Sequence, residues 1–389
     1  MHFTKRSTAV LMAFAAAITA TSARAGEITI SSDKLEIKGD LRLRHQTNEE
    51  TANSNRDRQR IRLRLGMNYT VNPMLAVKTQ FATGGAEQTS TNQTLDSLSK
   101  PKGIFLDLAY LELKPLPGAH ADTLVVSGGR MKNPLWQTYS SDLVWDSDLN
   151  PEGLGENVKL SLAGFGRVFV NASQWVVNEK KKVADSASLA GNRPQYVFST
   201  QAGVILPAPM DSRFTLAGSI HDWVNETDRA FGDGVSGSTN LLISTTTDKL
   251  ANDFRVIHID AEWFTTIPGV DLPLSIQGAF VKNTAHRDNL FANNDKRDTG
   301  HQVGAILGSA SNPNSWEIAY FNKSVDQDAV VSDASDSDFP GTNRKGNIFW
   351  VAYAPWKNQQ VKVKLFQTSI IEGAEKDIDT LQLDWQVKF

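Results

Sequence analysis

The chain has 389 residues, with 40 Lys and Arg against 43 Asp and Glu, and no cysteine. The missing cysteine excludes a disulfide framework, so a large exported chain must hold itself by core packing, by metal or by a closed hydrogen-bonded sheet. Past its first residues there is no apolar stretch of helix-spanning length, and no Gly-rich phosphate loop, zinc spacing or nucleic-acid motif.

Lys5 and Arg6 precede an apolar run from Ala9 to Ala20, and small residues end in Ala23-Arg24-Ala25. This is the layout of a cleaved secretory signal, residues 1–25, with an apolar run too short to span a membrane. Cleavage after Ala25 leaves a single domain, 26–389, with 37 basic and 43 acidic residues, a net charge of −6.

From residue 35 the pattern alternates with period two. Leu35, Ile37, Leu41 and Leu43 oppose Glu36, Lys38, Asp40, Arg42 and Arg44; Ile61, Leu63, Leu65, Met67, Tyr69 and Val71 oppose Arg60, Arg62, Arg64, Asn68 and Thr70. Such alternation marks strands with one apolar and one polar face. In chain order the expected strands are 35–45, 58–71, 74–83, 104–114, 122–131, 154–163, 166–177, 196–206, 213–223, 253–265, 272–283, 301–309, 315–324, 347–355, 360–370 and 379–389. Segments of about 9–12 residues match a tilted strand crossing the hydrocarbon layer. Two are apolar on both phases, 104–114 and 347–355; the first carries Asp107 and Glu112 on opposite phases, which requires a bulge or an interface position.

Short separators carry Asn72-Pro73, Pro115 to Gly118, Gly164, Pro207 to Asp211, Pro268-Gly269, Asn312 to Asn314 and Trp356 to Asn358; long polar ones are 84–103, 132–153, 178–195, 224–252, 284–300 and 325–346. Alternating short turns and long loops belong to a membrane barrel, and a soluble sandwich has no reason for them. The expectation is an all-β, transmembrane, antiparallel up-and-down barrel of 16 strands, in the bacterial outer membrane. Tyr69, Phe81, Tyr110, Phe214, Trp223, Trp263, Phe280, Trp316, Tyr320, Tyr353, Trp356, Trp385 and Phe389 fall near strand ends, many on the outward phase, as an interfacial aromatic girdle.

The polar face of the first strands is basic: Arg42 and Arg44, then Arg58, Arg60, Arg62 and Arg64, then Lys78. Lys362, Lys364 and Lys388 lie on the last two strands, which closure brings beside the first. In a dry sandwich interior so many unpaired cations would each cost several kcal/mol, whereas a water-filled lumen carries no such penalty. A cationic wall of this kind raises the local concentration of anions. The alternative is the solvated outer face of an ordinary sheet.

The third outer loop mixes acids, Asp142, Asp146, Asp148 and Glu152, with Leu135, Trp136, Leu143, Val144 and Trp145. A loop so apolar is packed somewhere. The expectation is that it folds inward and narrows the pore, its carboxylates facing Arg42, Arg60, Arg62 and Arg64; the alternatives are packing at a subunit interface or capping the rim. Asp333, Asp336 and Asp338, or Asp326 and Asp328, offer oxygen ligands for calcium, but neither run has the glycine and closing glutamate of a calcium loop, and a solvated acidic loop is the simpler reading. His258, Asp260 and Glu262 share one inner phase, with His221 and Ser219 on the neighbouring strand; a lumen carries such residues without catalysis.

Several runs resemble a family of Gram-negative outer-membrane proteins known as putative porins: Gly39 to Arg44, Arg58 to Arg62, Phe81 to Gly85, Ser90 to Leu95, Leu106 to Tyr110, Arg130 to Pro134 and Trp145 to Gly153. The resemblance implies a barrel and draws attention to the Arg-rich second strand and the WDSDLNPEG loop. The terminal Phe389, after alternating apolar residues, looks like the signal read by the outer-membrane assembly machinery. The expected function is passive diffusion of small polar or charged solutes, without cofactor, catalysis or nucleic acid. Outer-membrane lipid and lipopolysaccharide are the expected surroundings, in a homotrimer. An organic-anion channel and a non-conducting barrel for adhesion or envelope anchoring are the rivals.

Overall fold

A computed structural model describes residues 33–389 except 52–54, 86, 117, 119–122, 139–140, 180–192, 210–211, 226–238, 243–249, 287–296 and 375. The expected signal segment and most of the loops 178–195, 224–252 and 284–300 therefore lie outside the described residues.

The alternating pattern becomes strand wherever it occurs. The strands are β1 (Leu35–Glu50), β2 (Arg56–Asn72), β3 (Leu75–Thr83), the two-residue β4 (Gln93–Thr94), β5 (Ile104–Leu113), β6 (Leu124–Arg130), β7 (Glu152–Leu162), β8 (Gly166–Asn178) and β9 (Gln195–Ala208). They continue as β10 (Ser212–Val224), β11 (Arg255–Ile267), β12 (Leu272–Asn283), β13 (Thr299–Gly308), β14 (Ser315–Val325), β15 (Arg344–Ala354), β16 (Gln359–Ile370) and β17 (Ile378–Lys388). Each stave pairs antiparallel with the next, and β1 pairs with β17, Asp40 opposite Lys388 through Glu50 opposite Ile378. Leaving out β4, which only extends the pairing of β2 beyond the end of β3, the staves number sixteen, as the sequence pattern requires. Closure removes every sheet edge, the condition for strands to cross a bilayer.

The burial pattern is inverted relative to a soluble protein. In β10, Leu216 and Ile220 are 40% and 50% exposed while Ser219 and His221 are 4% and 1% exposed. Apolar side chains face outward and polar ones inward, the arrangement lipid imposes on a barrel. Phe214 opposite Trp263 and Trp316 opposite Tyr353 place exposed rings near the short turns. Two girdle candidates point inward instead. Trp223 is buried, and the ring of Tyr110 lies 5.8 Å from Lys78 Nζ.

Local chemistry sets the turns and the register. Asn72 Oδ1 accepts from the Met74 and Leu75 backbone N–H groups, at 2.8 and 3.0 Å, and so turns β2 into β3. The phase conflict in β5 is resolved by a bulge: Gln80 stands opposite Leu108 but Phe81 opposite Leu106. Asp107 is the extra residue, buried and accepting from Gln80 and Asn150, so that both it and Glu112 serve the inner face.

A hydrophobic cluster of Leu143, Val144, Trp145, Trp175, Trp223, Phe254 and Val331, among others, gathers loop residues against inner-face residues of β8 and β10. A second joins Phe321, Ile348, Trp350 and Phe366 to Phe339, of the loop between β14 and β15.

Candidate channel constriction

Cross-strand register turns the basic residues into a lattice. Arg62 of β2 stands opposite Arg42 of β1, and Arg60 opposite Arg44. Across the β1–β17 seam, Arg42 meets Gln386 and Arg44 meets Asp384, and beyond it Asp384 meets Lys362 and Gln382 meets Lys364 of β16. Like charges directly opposite are destabilising unless countered. Two inner-face carboxylates counter them: Asp384 takes Arg44 in a bidentate pair at 2.7 and 2.8 Å, and Asp40 takes Arg62 at 2.9 Å and Arg64 at 2.7 Å.

The remaining members of the expected wall are less alike. Arg42 donates to Asn92 Oδ1 at 2.7 Å and lies 3.8 Å from Asp384. Arg60 donates to Gln46 at 3.0 Å, and Arg58 to Asn48 at 3.2 Å. Lys362 lies 3.8 Å from Glu317, and Lys364 sits over the rings of Trp350 and Phe366. Lys78 is paired with Glu112 at 2.5 Å, apart from the arginines. Lys388 has the inward phase but is exposed, at the short-turn end where the strand runs out.

The acids of the third outer loop, 131–151, separate into different roles. Asp148 lies 3.9 Å from Arg62 and 3.8 Å from Arg64. Asp142 and Asp146 meet another loop instead of the arginines: Asp146 N–H donates to Ala334 O at 2.7 Å, Asp336 N–H to Asp142 O at 3.1 Å, and Ser337 N–H to Asp146 Oδ2 at 3.0 Å. Glu152 corrects the sequence expectation, because it begins β7, is exposed and pairs with Arg130 at 2.7 Å. It starts the stave and leaves the loop. Trp145 anchors the loop, edge-on to Trp175 at 4.6 Å and stacked on Trp223 at 5.3 Å.

The acidic composition of loop 326–343 predicts a solvated loop, and the structure packs it instead. Its Val330, Val331 and Phe339 are almost wholly buried. Asp336 pairs with the buried Lys323 at 3.0 Å, while Asp338 lies 3.6 Å from Arg44 and accepts from Gln382 at 2.9 Å. The signal was legible in principle, since apolar residues among acids are the same cue that marked the third loop. A third loop segment joins them: Ser337 Oγ donates to Thr89 O at 3.2 Å, and Gln88 donates to Asp333 O at 3.1 Å. Among the described residues, no group of three or more His, Asp or Glu could hold a metal ion.

Charge and burial set the ionisation of the loop acids. Burial, then the neighbouring Asp336 carboxylate, pushes Asp142 up to about 7. Burial, then Asp142, raises Asp146 well above the ordinary carboxylate range. Burial also opposes the charge on Asp338, but Arg44, Lys364 and Arg42 outweigh it and hold that carboxyl down at about 2.

Three cavities follow one another along the inside of the barrel, the second and third against β1 and β2. The first, about 650 Å³, lies at the short-turn end beside Asn358 and Lys388. The second, about 420 Å³, lies between the Arg42, Arg44 and Arg62 guanidiniums and the loop acids. The third, about 510 Å³, opens beside Arg58 and Glu50 at the long-loop end. The first and second share Gln360 and Gln386; the second and third share Thr89, Ser90 and the segment 336–338.

The histidine cluster lies elsewhere, under the Trp145 anchor. His221 Nδ1 shares a hydrogen bond with Ser199 Oγ at 2.9 Å, His258 Nε2 lies 3.0 Å from Asp260, and Ser219 Oγ accepts from Gln201 at 2.9 Å. Ser219 and His221 therefore have other partners and do not form a nucleophile–base pair.

The family model described as Putative porin matches residues 38–249 and 238–389. Among curated proteins, none matches this sequence. Among solved structures, Pseudomonas putida OprB at high pH is similar, with 12% identity, a TM-score of 0.55, and coverage of 92% of this chain and 94% of that one. Salmonella typhi OmpF in complex with daunomycin is similar at 13% identity and a TM-score of 0.53, over 92% of this chain and 99% of that one. At such identities the likeness concerns the fold.

Proposed function

From the premise that the chain belongs to the putative porin family, and is a β-barrel channel of the bacterial outer membrane, we propose that it passes small polar and charged solutes by passive diffusion through a laterally charged constriction. The observation that carries this reading is the run of three cavities that share lining residues, two of them beside the arginine lattice. Loop 131–151 folds inward in this reading, held by Trp145, and loop 326–343 narrows the pore with it. The cationic jaw is Arg42, Arg44, Arg60, Arg62 and Arg64 with Lys362 and Lys364; the acidic jaw is Asp148 and Asp338. Fixed charges of opposite sign in low-dielectric walls set up a field across the path that orients dipolar solutes and disfavours apolar ones.

Export by a cleaved signal 1–25, delivery by the assembly machinery through Phe389, contact with lipopolysaccharide and association as a homotrimer belong to the same reading. Chemical cross-linking in outer membranes tests the trimer. Catalysis has no part in this reading. Purified protein in a planar bilayer should give stepwise ion conductance, with a reversal potential in a salt gradient that reports the charge of the constriction. A barrel that inserts and carries no current would instead support adhesion or envelope anchoring.

A further inference from the structure

The central cavity faces fixed charges of both signs, and their local pairing is uneven. On the cationic side the close carboxylates are already engaged, Asp384 by Arg44 and Asp40 by Arg62 and Arg64. Arg42 is left with a 3.8 Å approach to Asp384 and a neutral amide, Asn92, as its close acceptor. Lys364 has no carboxylate within 4.0 Å among the described residues and rests on two aromatic rings, Phe366 at 4.4 Å and Trp350 at 5.6 Å. Both cations line the cavity.

The acidic side has the same looseness. Asp148 approaches Arg62 and Arg64 only at 3.9 and 3.8 Å, beyond hydrogen-bond distance, and its side chain is 20% exposed. Asp338 lies 3.6 Å from Arg44 with its side chain 33% exposed. Both carboxylates also line the cavity.

We propose that this cavity is a selective subsite for a small zwitterion of the α-amino-acid class, its carboxylate taken by Arg42 and Lys364 and its ammonium by Asp148 and Asp338. The proposal deepens the channel reading and rests on it. A simple anion entering the cavity gains the cations but meets the acidic jaw, and a simple cation meets the guanidinium lattice. A neutral polyol gains neither charge-assisted contact. A solute with separated opposite charges satisfies both walls at once, with charge-assisted hydrogen bonds about twice as strong as neutral ones. The volume of about 420 Å³ lies within the range of small-molecule sites and suits a solute of amino-acid size with some of its water.

The test is block of potassium chloride current through single channels by three related solutes at neutral pH: glutamine, its N-acetyl derivative and its carboxamide. They carry both charges, the negative charge alone and the positive charge alone. Glutamine should reduce the current saturably, at concentrations at least about fivefold lower than either derivative. Asp148→Asn with Asp338→Asn should remove its advantage over the N-acetyl anion, and Lys364→Gln its advantage over the carboxamide cation. Equal block by all three, or stronger block by the N-acetyl anion, overturns the zwitterion subsite while leaving the channel intact. Absence of any conductance defeats the channel reading itself. Should the double variant fail to insert, the ranking of the three solutes on the unmodified protein decides alone.

Discussion

Arg44 of the first stave and Asp384 of the last form a bidentate ion pair across the seam where the barrel closes, Nε to Oδ1 at 2.7 Å and NH2 to Oδ2 at 2.8 Å. Arg44 is 5% exposed and the Asp384 side chain 11%. The pair couples closure to the charge lattice, because Asp384 is also the nearest carboxylate to Arg42.

Asp384→Asn removes the counter-charge and leaves Arg44 buried beside Arg60, with Asp338 as its remaining acid. Breaking a pair this buried is expected to cost roughly 3 kcal/mol. The folded band on a heat-modifiability gel should unfold at a lower temperature. Removing both charges, as Arg44→Gln with Asp384→Asn, should recover part of the loss. A single variant as stable as the original protein would show that the seam does not depend on this pair.

In the channel reading, the arginine lattice should set ion preference. Replacing Arg60, Arg62 and Arg64 by Ala removes three cations from the wall while Asp40, Asp148 and Asp384 remain. The reversal potential in a tenfold potassium chloride gradient should move toward the cation-selective limit, which for a monovalent ion is about 59 mV. The effect should shrink at high salt, where the Debye length falls to about 3 Å at 1 M. An unchanged reversal potential would rule out the wall as the source of selectivity.

Most of the barrel was legible in the sequence because lipid and water demand period-two alternation in every stave. Even the β5 irregularity was visible, as Asp107 and Glu112 on opposite phases, though not which residue would bulge. The pairing inside the lumen was not legible. Asp384 sits in a strand whose phase is plain, but its pairing with Arg44 depends on register across a seam joining residues 340 positions apart. The pairing of Asp40 with Arg62 and Arg64 depends on the register of the β1–β2 hairpin. Loop 326–343 was misread because its many Asp and Ser residues outweigh Val330, Val331 and Phe339 in composition. Its burial comes from Lys323 and the stacked Phe321 and Trp350, which offer it an ion-pair partner and an apolar seat.

The contact between loops 131–151 and 326–343 should depend on pH. Asp142 is faced by Asp146 and Asp148 of its own loop, Asp336 of the neighbouring loop, Lys323 of β14 and Lys364 of β16. Its pKa is raised to about 7 by burial and then by Asp336, so the protonated form is the one the closed contact favours. The stabilisation is full at pH below the ordinary carboxylate range and is lost as pH climbs from there to about 7. Protease cleavage within residues 131–151 should therefore be slower at pH 5 than at pH 8. Asp142→Asn should flatten the dependence. A profile unchanged in that variant would show that Asp142 does not govern the contact.

Trp145 holds the same loop from its other side, against Trp175, His221 and Trp223. Trp145→Ala removes a buried aromatic, a loss of roughly 3–5 kcal/mol in packing. Trp145 lies outside the strand ladders, so the barrel should still form. The loop should become cleavable at every pH, and single-channel current should become larger and noisier. A quiet, unaltered conductance would mean that the loop does not define the narrowest point.

Phe389 closes the other end of the seam. Gly39 N–H donates to Phe389 O at 2.7 Å, and Phe389 N–H donates to Gly39 O at 2.9 Å. A Cβ on Gly39 would lie 2.8 Å from the Phe389 ring and 2.5 Å from the Arg64 carbonyl oxygen, so the ring occupies space that only glycine leaves open. Gly39→Val should lower the folded fraction, and Phe389→Leu should restore only part of it, because the clash with the Arg64 carbonyl persists. The same residue is read as an assembly signal, and two settings separate the roles. Deleting Phe389 should reduce insertion into outer membranes in cells. If refolding of the purified chain in detergent is equally impaired, the residue acts through seam packing. If refolding is unaffected while insertion in cells fails, its recognition by the assembly machinery carries the effect. Normal insertion in cells would remove Phe389 from both roles.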